Sequence, residues 1–71
     1  MARRFGEGMQ ATLIETGNLG QAEYACGDRS HGLEQLRRAE AALREHYGAD
    51  NVAARRFRRA LAEAGTMAGQ H

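Results

Sequence analysis

Two helical stripes of apolar residues, separated by a glycine, limit the fold of this chain more than any other sequence feature. The first stripe consists of Leu36, Ala39, Leu43 and Tyr47, with Leu33 at its edge. Spacings of three and four residues place these side chains on one face of a helix. We expect this helix to run from about residue 31 to residue 47, with Ser30 as its N-cap and Gly48 at its end.

The second stripe predicts another helix directly after that glycine. We expect Asp50 or Asn51 to cap it, and Gly65 to close it after about residue 64. Its apolar face consists of Ala53, Phe57, Ala60, Leu61 and Ala64. The short connection between the helices favours an antiparallel pair or a steeper helix-turn-helix crossing.

The segment from residue 9 to residue 28 is harder to assign because glycines divide it. The run Gly17-Asn18-Leu19-Gly20 has the composition of a turn. Residues 21–26 alternate apolar and polar side chains, which is the period of a strand, and the run before the glycines includes β-branched residues. We therefore predict a β-hairpin here. The alternative is a short helix over residues 9–16 that Gly17 would end.

These elements predict an α+β fold, in which an N-terminal β-hairpin precedes two antiparallel amphipathic helices; the alternative is an all-α three-helix domain. We expect a flexible arm over residues 1–8, a single small domain over residues 9–65 and a disordered tail over residues 66–71. A core in a chain this short rarely supplies more than ~3–5 kcal/mol of stability. A homodimer, or a place as a subunit of a larger complex, is therefore expected.

The chain shows no motif for catalysis, for a metal or for a cofactor. Cys26, His31 and His46 match no standard zinc spacing, and we expect Cys26 to be a small buried residue. Ser30 and His31 are adjacent, so their side chains diverge instead of forming a nucleophile–base pair. We predict a binding protein that is not an enzyme and that uses no cofactor or metal.

Composition suggests where such a protein would act. The single cysteine cannot form an internal disulfide, and no stretch has the length and apolar character of a membrane span or a secretory signal. We therefore expect a cytoplasmic location and no membrane partner. The bias toward Arg, Ala and Gly, with no lysine, is typical of a GC-rich bacterial or phage genome.

Positive charge is concentrated near the end of the chain, although the net charge is only +1. Arg55, Arg56, Arg58 and Arg59 repel one another, which is easier to explain if phosphates or an acidic protein surface neutralise them. We take these four, with Arg3 and Arg4 of the arm, as candidate residues for binding a protein or nucleic acid. Residues 5–28 carry acidic side chains and no cation, so two copies could also pair head to tail.

Residues 43–65 resemble a bacterial helix-turn-helix, with Gly48 at the turn and Ala54 and Phe57 where the second helix packs on the first. The resemblance implies that the second helix reads DNA, although Arg44 stands where that family has a small residue. A ribbon-helix-helix dimer would instead use a strand over residues 21–26, on which Glu23 would oppose the phosphates.

Two functional interpretations follow from these patterns. The first is a small non-enzymatic protein of bacterial or phage type that acts through protein–protein contacts, as an inhibitor or an assembly subunit. The near-zero net charge and the small core favour it. The alternative is a small DNA-binding regulator that uses the Arg-rich second helix, with its N-terminal arm on the backbone or in the minor groove.

Overall fold

The computed structural model describes residues 5–68 and consists there of three α-helices without any strand. The helices are α1 (Phe5–Cys26), α2 (Arg29–Tyr47) and α3 (Val52–Ala68). Helix α1 packs along α2, and α2 packs on α3, whereas α1 and α3 meet at few positions. The fold is an all-α three-helix bundle. Residues 1–4 of the predicted arm and residues 69–71 of the predicted tail lie outside the described residues.

The predicted β-hairpin over residues 9–28, and with it the α+β fold, is wrong because most of this segment is one continuous helix. The alternative of a short helix that Gly17 ends is wrong for the same reason. Gly17 and Gly20, whose presence in the sequence predicts a turn, are instead buried inside α1. Without a strand at residues 21–26, the ribbon-helix-helix arrangement is also excluded.

The glycines of α1 serve helix packing instead of chain reversal. A Cβ atom added to Gly20 would lie 2.7 Å from the carbonyl oxygen of Gly32 in α2, and one added to Gly32 would lie 2.6 Å from the carbonyl oxygen of Gly20. The backbones of α1 and α2 therefore touch where these two glycines meet. A glycine inside a helix costs about 1 kcal/mol relative to alanine, and this close approach offsets that cost.

The reversal between α1 and α2 occurs at Gly27, which has a φ angle of +113°. The N–H of Gly27 donates to the carbonyl of Tyr24 at 3.2 Å, and the N–H of Asp28 donates to the carbonyl of Glu23 at 2.9 Å. This pair of hydrogen bonds is a Schellman motif, which requires the left-handed region that glycine adopts readily. Helix α2 then starts at Arg29 with Asp28 as its N-cap residue, so the prediction of Ser30 as the cap is wrong.

The connection between α2 and α3 agrees with the sequence pattern at both helix ends. Gly48 follows the last residue of α2 with a φ angle of +100°, and its N–H donates to the carbonyl of Arg44 at 2.9 Å. Asn51 caps α3, because its Oδ1 accepts the N–H of Ala54 at 3.0 Å. Helix α3 continues to Ala68 and does not close at Gly65.

Replacing Asn51 with alanine removes this cap and should destabilise the protein by about 1 kcal/mol. For a domain of this size, that loss corresponds to a fall in melting temperature of roughly 4–8 °C. Thermal unfolding followed by circular dichroism measures it. The matched control is Asn51→Asp, which keeps a side-chain acceptor for the same N–H and should melt close to the wild type. Equal losses in both variants would show that the cap contributes nothing.

The core is built from the two stripes that the sequence predicts. Its buried residues are Leu36, Ala39 and Leu43 from α2, and Ala53, Ala54 and Phe57 from α3. Partly buried side chains surround it, among them Leu13 and Ile14 of α1. The ring of Phe57 is fully buried and lies directly over Gly17, where a Cβ atom would overlap it. Alanine and glycine thus let the helices approach closely around one aromatic ring.

Candidate binding surface on α3

The arginine cluster of α3 flanks Phe57 in the sequence, with two arginines before it and two after it, and the side chain of Phe57 lies in the core. Because Phe57 points inward, the arginines on either side of it diverge toward different parts of the surface. All four are exposed. Their contacts nevertheless differ, and these contacts separate the cluster into two pairs.

Arg58 is held by the α2 helix and by the turn that precedes α3. Its guanidinium donates to Oε2 of Glu40 at 3.2 Å and to the carbonyl oxygen of Ala49 at 3.2 Å. Glu40 also pairs with Nε of Arg44 at 3.4 Å, one turn along α2. The carboxylate of Glu40 is buried, with only 9% of its side chain exposed, so it requires these cations. Arg58 therefore stabilises the packing of α3 on α2.

Substitution of Arg58 by glutamine should lower the free energy of unfolding by about 1–2 kcal/mol. The expected loss lies below the value for a fully buried pair, because Arg58 is about half exposed and Glu40 keeps Arg44 as a partner. Arg59→Gln removes the same charge from a side chain without such contacts, and should change stability by less than about 0.5 kcal/mol. Denaturant unfolding of the two variants makes the comparison, and similar values would contradict the role of Arg58.

Arg56 connects α3 to α1. Its guanidinium donates to Oδ1 of Asn18 at 2.8 Å, and it lies 5.4 Å from the centroid of the Phe57 ring. The contact is formed where α1 and α3 come close, beside Gly17. Arg56 therefore has a structural partner as well, although its side chain remains accessible.

Arg55 and Arg59 have no such partners. Within the described part of the chain, no carboxylate lies within ion-pair distance of either guanidinium. They stand one helical turn apart, where two like charges destabilise a helix by roughly 0.2–0.5 kcal/mol. Of the cluster, Arg55 and Arg59 are therefore the two cations that can bind another molecule without losing a contact within the described chain.

An exposed apolar residue accompanies this pair. Val52, the first residue of α3, is 78% exposed. Val52, the four arginines and Ala62 line an open depression of about 570 Å³ on the outer side of the helix. We call Val52, Arg55, Arg59 and Ala62 the α3 face, because these residues lie opposite the buried side of α3.

Cys26, His31 and His46, which match no standard zinc spacing in the sequence, do not form a cluster in the structure. Cys26 is exposed, so its prediction as a buried residue is wrong. Nδ1 of His31 lies 2.7 Å from Oε1 of Glu23, across the α1–α2 connection. His46 lies near the end of α2, against the ring of Tyr47. Over residues 8–65, whose side chains are described, no group of His, Cys, Asp and Glu side chains is placed to hold a metal ion.

Arg3 and Arg4, the remaining candidate binding residues, lie outside the described residues. In the described range, none of the three helices is long and apolar enough to cross a bilayer. No protein-family model, curated protein or solved structure matches this chain.

Proposed function

We propose that this protein is a protein-binding module, an assembly subunit or inhibitor, whose α3 face binds an acidic protein surface. The observation that carries the proposal is the position of Val52, an exposed apolar side chain in the same depression as two unpaired arginines. The matching surface would present carboxylates next to an apolar side chain. Such a surface is a feature of proteins and not of a phosphate backbone.

The chemistry of the α3 face supports this proposal. Arginine is enriched at protein interfaces, where its planar guanidinium forms bidentate pairs with carboxylates. Binding of carboxylates would also relieve the repulsion between Arg55 and Arg59. Val52 would lose its contact with water at the same time, which adds a favourable apolar contribution to the ion pairs.

The contacts of the other two arginines weigh against DNA as the partner. Affinity for DNA depends on the number of phosphates that cations neutralise. Arg58 is engaged by Glu40 and the turn, and Arg56 by Asn18, so of the four arginines described on α3 only Arg55 and Arg59 reach a partner without giving up internal contacts. A net charge of +1 adds little general attraction to a polyanion.

The test is fluorescence anisotropy of three labelled probes titrated with the protein. The probes are a short peptide of Glu and Leu residues, a poly-Glu peptide of equal charge, and random-sequence duplex DNA. We expect the Glu/Leu peptide to bind tightest. Arg55→Gln combined with Arg59→Gln should abolish its binding, whereas Arg37→Gln combined with Arg38→Gln, which removes the same charge from exposed positions on α2, should not.

A second variant tests the role of the apolar residue. Val52→Ser should weaken binding of the Glu/Leu peptide and leave binding of poly-Glu unchanged, because only the first probe has a side chain to bury. Tighter binding of DNA than of either peptide at physiological salt, with a steep loss as salt rises, would overturn the proposal in favour of a DNA-binding regulator.

A further inference from the structure

A second exposed apolar residue lies on the outer side of α1. Thr12, Glu15, Thr16 and Leu19 line an open depression of about 410 Å³ there, and we call these residues the α1 face. Leu19 is 52% exposed. Among the described residues, Leu19 and Val52 are the two large apolar side chains with such exposure. One lies on each of the two outer helices.

The charges around these two residues are opposite and unpaired. Glu15 has no cation within ion-pair distance among the described residues, just as Arg55 and Arg59 have no carboxylate. Residues 5–26, the whole of α1, contain no Arg or Lys. Each face therefore has one exposed apolar side chain, and the α1 face places a carboxylate beside it where the α3 face places two guanidinium groups.

From this complementarity we propose that the partner of the α3 face is the α1 face of a second copy of this chain. The inference rests on the proposed function and names its partner. Leu19 of one copy packs on Val52 of the next, and Glu15 pairs with Arg55 or Arg59. Glu15 and Leu19 are separated by about 6 Å along α1, and Val52 and Arg55 by about 4.5 Å along α3, so the long arginine side chains let both contacts form together.

The charges favour a head-to-tail contact, in which the α1 face of one copy meets the α3 face of another. Two α3 faces brought together would place Arg55 and Arg59 of both copies side by side, and two α1 faces would do the same for Glu15. A symmetric dimer through either face is therefore disfavoured, whereas an α1-to-α3 contact joins opposite charges. A single contact of this kind leaves one unused face on each copy, so the assembly either closes into a ring, of which a two-fold pair that makes both contacts is the smallest, or grows into a chain.

The strength of the contact follows from its size. One helix face on each side makes an interface at the small end of specific protein contacts, which is typical of transient association. Its ion pairs are solvent-exposed and are therefore screened by salt. We expect self-association that increases with protein concentration over the micromolar to millimolar range and decreases as salt is added.

Sedimentation velocity of the full chain over a concentration series tests this inference. The α1-face variant is Glu15→Gln with Leu19→Gln, the α3-face variant is Arg55→Gln with Arg59→Gln, and the control is Arg37→Gln with Arg38→Gln. All these positions are exposed, and circular dichroism verifies that each variant is folded. The wild type and the control should exceed monomer mass as concentration rises, whereas each face variant alone should stay monomeric.

The mixture of the two face variants gives the sharpest result. Each retains the face that the other lacks, so an equimolar mixture should form a heterodimer and nothing larger. A wild type that stays monomeric, an α1-face variant that still associates, or a mixture without heterodimer would overturn the inference. If the Glu/Leu peptide binds the α3 face while the wild type stays monomeric, only the second copy as partner is refuted. If that peptide does not bind, the proposed function itself fails.

Discussion

Replacing Gly32 with leucine should separate α1 from α2 and leave the protein largely unfolded. Even a Cβ atom at this position would lie 2.6 Å from both the carbonyl oxygen of Gly20 and the amide nitrogen of Tyr24. These are backbone atoms, which cannot move aside as the end of a flexible side chain can. We expect a loss of at least about 3 kcal/mol, the upper part of the range for overpacking, which is comparable to the total stability of a domain this small.

Alanine substitutions at two glycines provide the matched comparison for this prediction. At Gly65, which has nothing within 4 Å of an added Cβ atom, alanine should stabilise α3 by up to about 1 kcal/mol through its higher helix propensity. At Gly32 the same substitution should be destabilising, because the clash exceeds the gain in propensity. Thermal unfolding of the pair measures the difference in sign, and stabilisation at both positions would show that α1 and α2 do not touch at Gly32.

Replacing Phe57 with alanine should lower the free energy of unfolding by ~3–5 kcal/mol. The ring is fully buried, and it fills the space between α3, α2 and the backbone of α1 at Gly17. A loss of this size would leave α3 largely detached at room temperature. Circular dichroism should then show reduced helix content and a broad transition of low cooperativity. Phe57→Leu keeps most of the buried volume, so it serves as the milder control and should remain folded.

Gly17 gives an independent test of where the ring lies. In the wild type, Gly17→Ala should be destabilising, because its Cβ atom would overlap the ring of Phe57. In the background of Phe57→Leu, the space above Gly17 is partly vacated and alanine should be less harmful or even stabilising. A double-mutant cycle measures this coupling. Additive effects of the two substitutions would contradict the contact between Gly17 and Phe57.

The sequence predicts α2 and α3 well because leucine, alanine and phenylalanine mark their buried faces. It fails for α1 because two positions of the buried face are glycine. Leu13, Gly17, Gly20 and Tyr24 are spaced three or four residues apart, as one stripe of a helix requires. Glycine carries no apolar side chain, so the spacing of apolar residues does not reveal this helix face. The same glycines suggest a turn. The spacing of the glycines themselves was the available signal.

The sequence identifies the arginine cluster, but it does not show which of the four arginines have partners on other helices. Arg58 meets Glu40 across 18 positions of the chain, and Arg56 meets Asn18 across 38. Local patterns reach only three or four residues along a helix, so they pair Glu40 with Arg44 and stop there. Glu40 directly follows Ala39, a residue of the buried stripe, and this position is the one signal in the sequence that its carboxylate needs a cation from another helix.

We infer that Arg56 and Arg58 stabilise the fold, whereas Arg55 and Arg59 are available to bind a partner. The most direct test measures two properties of each single variant, Arg55→Gln, Arg56→Gln, Arg58→Gln and Arg59→Gln: the free energy of unfolding and the affinity for the Glu/Leu peptide. We predict that Arg55→Gln and Arg59→Gln lose affinity at unchanged stability, whereas Arg58→Gln, and to a smaller extent Arg56→Gln, lose stability and keep affinity while folded. Equal losses of affinity in all four variants, without a difference in stability, would contradict the claim.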